Sequence, residues 1–282
     1  MSGGGGRATG AATVADLGVD TPLALASLSG VADAAWARAG AAYAGLAFLG
    51  GIAVDGAARE AARASVADRN RSEFLPPDPI AWVDGQVAAL ADADLRVGVN
   101  VRATSVDAVR GAAEACAAHD AVVEVNAHCR QSELCEAGCG ETLLGDTERL
   151  CEYVAAAADA GAEVSVKVRA EVDGVDLPAT ARAVADAGAD AVHVDAMDSE
   201  GVVALVKAAA PDLVVIANNG VRDRATAREY LAAGADAVSV GRPSDDPRVL
   251  GRVREAVDEW TAASPATVRS ARGRGPSPGA PR

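Results

Sequence analysis

Three stretches decide the fold: DAGAEVSV at 159–166, DAGADAVHV at 186–194 and AAGADAVSV at 232–240. In each, an Ala-rich helical run ends on Gly, and a Val-rich strand begins within two residues. A glycine there suits the left-handed cap that closes a helix before the chain turns into a sheet. The same punctuation three times over predicts a repeating helix-to-strand unit. Working outward, the Val-rich and Leu-rich runs predict strands at about 22–27, 43–48, 95–100, 121–126, 163–169, 190–195, 212–217 and 236–240, with Ala-rich amphipathic helices between most of them. Eight alternations favour a closed (β/α)8 barrel of the TIM type over an open doubly wound sheet.

The length agrees with that fold. A barrel of this type takes about 250 residues, and the chain has 282. Residues 13–262 are therefore read as one barrel domain. The glycine-rich start (1–12) and the Gly/Ser/Pro/Arg-rich end (263–282) lack an apolar period and read as disordered tails. Half of the residues are hydrophobic but only 3% are aromatic, so the core must be built from Ala, Val and Leu.

The formal charge is −14, and only Lys167 and Lys207 among the 26 basic residues are lysines. This bias fits a halophilic source, because high ionic strength screens the repulsion of an acidic surface. The start carries no basic-then-apolar leader and no apolar run is long enough to span a membrane, so a cytoplasmic protein is expected. Five cysteines, three of them in one loop, suit site chemistry better than a disulfide framework.

The connection after the fourth strand is much longer than those after the later strands. In a barrel that connection lies on the catalytic face, so 127–145 is expected to form a long functional loop. The fourth strand and this loop read VVEVNAHCRQSELCEAGCGETLL, where alternation puts Glu124 and Asn126 on one face and Cys129 just beyond the strand. Cys129 can serve as a proton donor or acceptor, as a small buried hydrophobe, or, with His128, Cys135 and Cys139, as a metal ligand. Lys167, on the fifth strand, can act as a cation beside a flavin or phosphate, or simply pair with a carboxylate at the barrel rim. His193, on the sixth, can hydrogen-bond a ring or a carbonyl, or simply fill the core, and Asp195 shares its face. Gly220 and Gly241 follow the seventh and eighth strands. Bare backbone there, with Arg242 beside it, suits a phosphate.

The motifs ALASLSGVADAAW, RVGVNVRA, NAHCRQSELCEAGCGETLL, VKVR, VHVD, ANNGVR and VGRP stand in the order of the tRNA-dihydrouridine synthase family. The chain resembles that family of FMN barrels, particularly an archaeal relative, from about residue 22 to 245. The resemblance implies that Ser27, Asn100, Lys167, His193, Asn219, Gly220, Gly241 and Arg242 bind FMN. It also implies that Asn126 and Asp195 bind substrate, that Cys129 protonates it, that NADPH or NADH reduces the flavin, and that the substrate is uridine in tRNA. Arg130 stands where the family has proline, Glu133 and Glu136 replace basic residues, and no counterpart of the family's C-terminal helical RNA-binding domain is expected. The alternatives are a free pyrimidine as substrate, as in dihydropyrimidine or dihydroorotate chemistry, or a non-catalytic phosphate- or metal-binding barrel.

Overall fold

A computed structural model of the chain describes residues 12–69 and 72–263. Eight parallel strands close into a barrel in sequence order: β1 (Leu23–Leu25), β2 (Leu46–Ala53), β3 (Arg96–Arg102), β4 (Val122–Asn126), β5 (Glu163–Arg169), β6 (Ala191–Asp195), β7 (Val214–Asn218) and β8 (Ala237–Val240). Around them lie α1 (Ala34–Gly40), α2 (Gly56–Arg69), α3 (Pro79–Ala88), α4 (Val106–Ala117), α5 (Ser132–Glu136), α6 (Glu141–Leu144), α7 (Thr147–Asp159), α8 (Leu177–Asp186), α9 (Val202–Ala209), α10 (Arg224–Ala232) and α11 (Pro247–Ala263).

Local chemistry starts and stops these helices. The carboxylates of Asp33, Asp78, Asp146, Asp176 and Asp223 and the hydroxyl of Ser105 accept first-turn backbone N–H groups of α1, α3, α7, α8, α10 and α4. The three glycines expected to end helices do so: Gly161, Gly188 and Gly234 follow α7, α8 and α10 with φ of 86°, 109° and 98°.

Two apolar layers follow from strand alternation. Val99, Val123, Val125, Val164, Val166, Val192, Val194 and Val215 pack outward against the helices. Leu46, Phe48, Val122, Ala191, Val214, Ile216 and Ala237 fill the lower barrel, which Leu17 and Val19 close from below. Phe48 fits because β3 offers Gly98 opposite it, where a methyl group would stand 2.5 Å from the ring. Above this plug the interior turns polar, and that polar layer floors the site.

One strand departs from the sequence reading. β2 begins at Leu46 and runs to Ala53 rather than spanning 43–48. The Gly50–Gly51 pair marks a register shift against β3 instead of the strand's end. A side chain at Gly50, which has φ of 93°, would stand 2.6 Å from Asn100 O, so the close approach of β2 to β3 there demands glycine.

The expected tails, 1–12 and 263–282, lie outside the described residues except at their inner ends. Ala12 donates its N–H to Pro211 O, and its carbonyl accepts from Lys207. Ala263 ends α11. No helix among the described residues is long and apolar enough to cross a membrane.

Candidate active site

The C-terminal ends of the strands open into two adjoining cavities of about 560 and 790 Å³, which share Ser27, Leu28, His128, Arg130, Arg169 and Arg242 as lining. The first also takes Lys167, Asp195, Asn219, Gly220 and Gly241; the second takes Cys129, Arg102, Glu73 and Gln131. Seven of the expected residues therefore meet in one cavity, and Cys129 lies in its neighbour.

Three expected residues sit lower. Asn100, Asn126 and His193 line neither cavity and belong to the polar floor. Its hub is Glu124, wholly buried on β4. Glu124 accepts from Asn100 Nδ2 at 2.7 Å, from Ser165 Oγ at 3.3 Å and from His193 Nδ1 at 2.7 Å. His193 Nε2 pairs with Ser239 Oγ at 2.7 Å, and Ser239 Oγ also accepts from Asn218 Nδ2 at 2.7 Å. A neutral imidazole satisfies both contacts, with Nδ1–H donating to the carboxylate and Nε2 accepting the hydroxyl proton. Burial pushes His193 toward that neutral form against the pull of Glu124. Burial also raises Glu124, but His193 and Lys167 beside it and its hydrogen bonds hold the carboxyl below the usual range.

Asn126 supports the loop that follows it. Its Nδ2 donates to Asn100 Oδ1 at 2.8 Å, and its Oδ1 accepts the backbone N–H groups of His128 and Cys129 at 3.3 and 3.2 Å. The expected long loop contains α5 and α6 and folds back over Cys129. Glu141 N donates to Cys129 O at 3.0 Å, and Gly140 packs so closely that a methyl there would stand 2.6 Å from Cys129 Sγ. Burial pushes the Cys129 thiol up, opposed by the nearby Arg102 cation. The other two loop cysteines donate to backbone carbonyls: Cys139 Sγ lies 3.4 Å from Ala103 O, and Cys135 Sγ 3.4 Å from Cys129 O. Among the described residues no group of three or more His, Cys, Asp or Glu side chains is arranged to hold a metal ion.

Lys167 is 2% exposed. Its only hydrogen bond among the described residues is a long one, 3.4 Å, to Ser27 Oγ. Burial lowers its pKa, while Glu124 and Asp195 hold the charge in place. Asp195 itself accepts from Asn219 Nδ2 at 3.0 Å. Beyond β7 and β8 the backbone is bare: a methyl at Gly241 would meet nothing within 4 Å, and one at Gly220, with φ of 68°, would meet only the tip of Arg222 at 4.0 Å.

Sequence reasoning missed the roles of Glu124, Ser239, Arg102, Arg169, Glu73 and Gln131. Alternation alone could have found Arg102 and Arg169, which follow Asn100 and Lys167 on the same faces of β3 and β5. Glu73 gave no signal, because it arrives from the connection after α2.

A family model described as dihydrouridine synthase matches residues 84–272. The chain belongs to the dihydrouridine synthase family. The match begins within α3, so Ser27 and the β1 turn lie ahead of it. Membership and fold make this dihydrouridine synthase family member an FMN-type oxidoreductase barrel. An uncharacterized protein of Methanocaldococcus jannaschii is 26% identical over 236 residues, covering 79% of this chain and 89% of the relative. Among solved structures, the DHODH of Eimeria tenella shares the fold at a TM-score of 0.62 and 14% identity, over 84% of this chain and 80% of that one. The 3-hexulose-6-phosphate synthase of Salmonella typhimurium matches at 0.54 and 14% identity, over 86% of this chain and 99% of that one. At such identities these likenesses show the fold alone.

Proposed function

We propose that the protein binds FMN at the barrel mouth and reduces the C5–C6 double bond of uridine in tRNA, with Cys129 as proton donor and NADPH or NADH as the source of electrons. The observation that carries this reading is Lys167: a buried ammonium with one long hydrogen bond, opening on a cavity whose far end is bare backbone flanked by arginines.

The donor set fits the cofactor. Gly220 and Gly241 leave the space a phosphate needs, Arg222 and Arg242 supply charge, and Asn219 adds a polar side chain. Lys167 has donors to spare for an electron-rich ring edge, and Ser27 stands beside it. The cavity, at about 560 Å³, is of a size that holds a cofactor. Asn100 and His193 contribute from below by fixing Glu124, the counter-charge of Lys167, rather than from the cavity wall.

When bound and reduced, FMN supplies a hydride to one carbon of the pyrimidine double bond. The chain's own residues do the rest. Cys129, kept as a thiol by burial, gives its proton to the neighbouring carbon. Asn126 holds the Cys129 backbone at the angle the loop requires. Asp195 and Arg169 line the mouth beside Lys167, where they can hold polar groups of the base. Family membership favours uridine in tRNA over a free pyrimidine.

Reconstitution with FMN in concentrated salt tests the cofactor. A bound flavin spectrum with quenched fluorescence is expected. Protein that stays colourless after reconstitution contradicts the reading.

A further inference from the structure

Loops from four strands meet at one guanidinium beside Cys129. Arg102, the last residue of β3, donates from Nη1 to Glu73 Oε2 at 2.6 Å and from Nη2 to Ser29 Oγ in the loop after β1. Gln131, two residues past Cys129, donates from Nε2 to the other oxygen of Glu73 at 2.8 Å. One carboxylate oxygen thus holds the cation, and the other holds the Cys129 loop. The Arg102 and Glu73 side chains are 4% and 1% exposed. Desolvating both charges costs much of what their attraction returns, so a pair like this is a poor source of stability on its own. Arg102 Nε also finds no partner among the described residues. Of the two charges, Arg102 acts more strongly on the thiol than Glu73 does.

We propose that Arg102 is a positioning residue for Cys129: anchored by Glu73 and Ser29, its guanidinium fixes the thiol-bearing loop and faces the negative charge left on sulfur once the proton has gone. In that step the S–H bond breaks, its electron pair stays on sulfur as thiolate, and the proton forms the new C–H bond beside the carbon that takes the hydride. Arg102 lowers the cost of leaving that thiolate in a buried place. Glu73 offsets part of the cation's charge, so that the thiol is not ionised before it is needed. Cys135 from α5 and Cys139 from the turn before α6 also face Cys129.

The proposal rests on Cys129 as proton donor. Its test reads the thiol without turnover, so its failure and that of the tRNA reading are separable. The rate of Cys129 alkylation by iodoacetamide, located by peptide mass mapping, is followed from neutral to strongly alkaline pH on the FMN-loaded protein. Glu73→Gln, which keeps the shape and removes the anion, should move the midpoint down. The double variant Glu73→Gln/Arg102→Met, which removes the cation without stranding a buried carboxylate, should move it up. Each shift should be about one pH unit, tenfold in thiolate fraction at a given pH. A purely mechanical strap would loosen in both variants and move both midpoints the same way. That result, or no movement in either, overturns the proposal. If the double variant does not fold, Glu73→Gln decides alone: a midpoint that stays or rises overturns it.

Discussion

At the scale of single residues, the proposed function divides the chemistry between Cys129 and Lys167. Cys129→Ala should keep FMN bound and lose turnover by about 100- to 10,000-fold, the usual worth of a positioned acid; stopped-flow reoxidation of the reduced flavin by substrate measures it. Because the acid must be protonated, the rate should hold through neutral pH. It should fall as pH rises through a Cys129 pKa that burial has set above the ordinary thiol value. A decline already under way at neutral pH would contradict that assignment. Lys167→Met removes the charged donor expected at the flavin, and a hydrogen bond of this kind is worth about 1.5–3 kcal/mol. FMN affinity should therefore weaken by about 10- to 100-fold in a fluorescence titration, with thermal unfolding run beside it because Glu124 loses its counter-charge. The sequence singled out these two residues as candidates, one by its place after a strand and the other as a rare lysine on a strand end. It hid Glu124, because a carboxylate inside a Val-rich strand looks the same whether it meets solvent or, as here, a histidine, a serine and an asparagine from three other strands.

At the scale of elements, the β4 loop is where the chain spends its extra length. Gly140 is its tightest point, with φ of 60° and no room for a methyl group against Cys129 O. Gly140→Ala should displace α5 and α6 and cut activity sharply, while the unfolding temperature moves less than for a core defect. Parallel activity and thermal-melt measurements check this, and equal losses in both would contradict it. Gly98→Ala makes the contrast: it drives a methyl against Phe48 in the barrel plug, and such overpacking costs about 1–3 kcal/mol of stability. The helix-to-strand glycines marked β5, β6 and β8, and Val-rich and Leu-rich runs marked the others, so that seven of the eight strands were legible near their observed places. β2 was misplaced because Gly50 and Gly51, usually strand-ending signals, lie inside a strand that needs their bare backbone to approach β3. The pairing of Glu73 with Arg102 could not be read at all, since it joins a connection and a strand end with no periodic relation between them.

At the scale of the whole molecule, a net charge of −14 on 282 residues means that folding gathers acidic groups that repel one another. Salt at about 1 M shortens the screening length to about 3 Å, so thermal stability should rise steadily from dilute buffer to molar salt. A melting temperature that falls over that range would contradict this view of the composition. The same screening suppresses long-range attraction to RNA phosphates, so under the proposed function tRNA recognition in concentrated salt would rest on shape and on the unstacked base itself. The cavity beside Cys129, lined by Arg102, Arg130, Arg169 and Gln131, is where such a base would enter. The most direct test incubates FMN-loaded protein and NADPH or NADH with tRNA lacking dihydrouridine, in concentrated salt, and measures the nucleosides by mass spectrometry. The native protein should form dihydrouridine, and Cys129→Ala almost none. No dihydrouridine from native protein whose flavin is bound and reduced would contradict it.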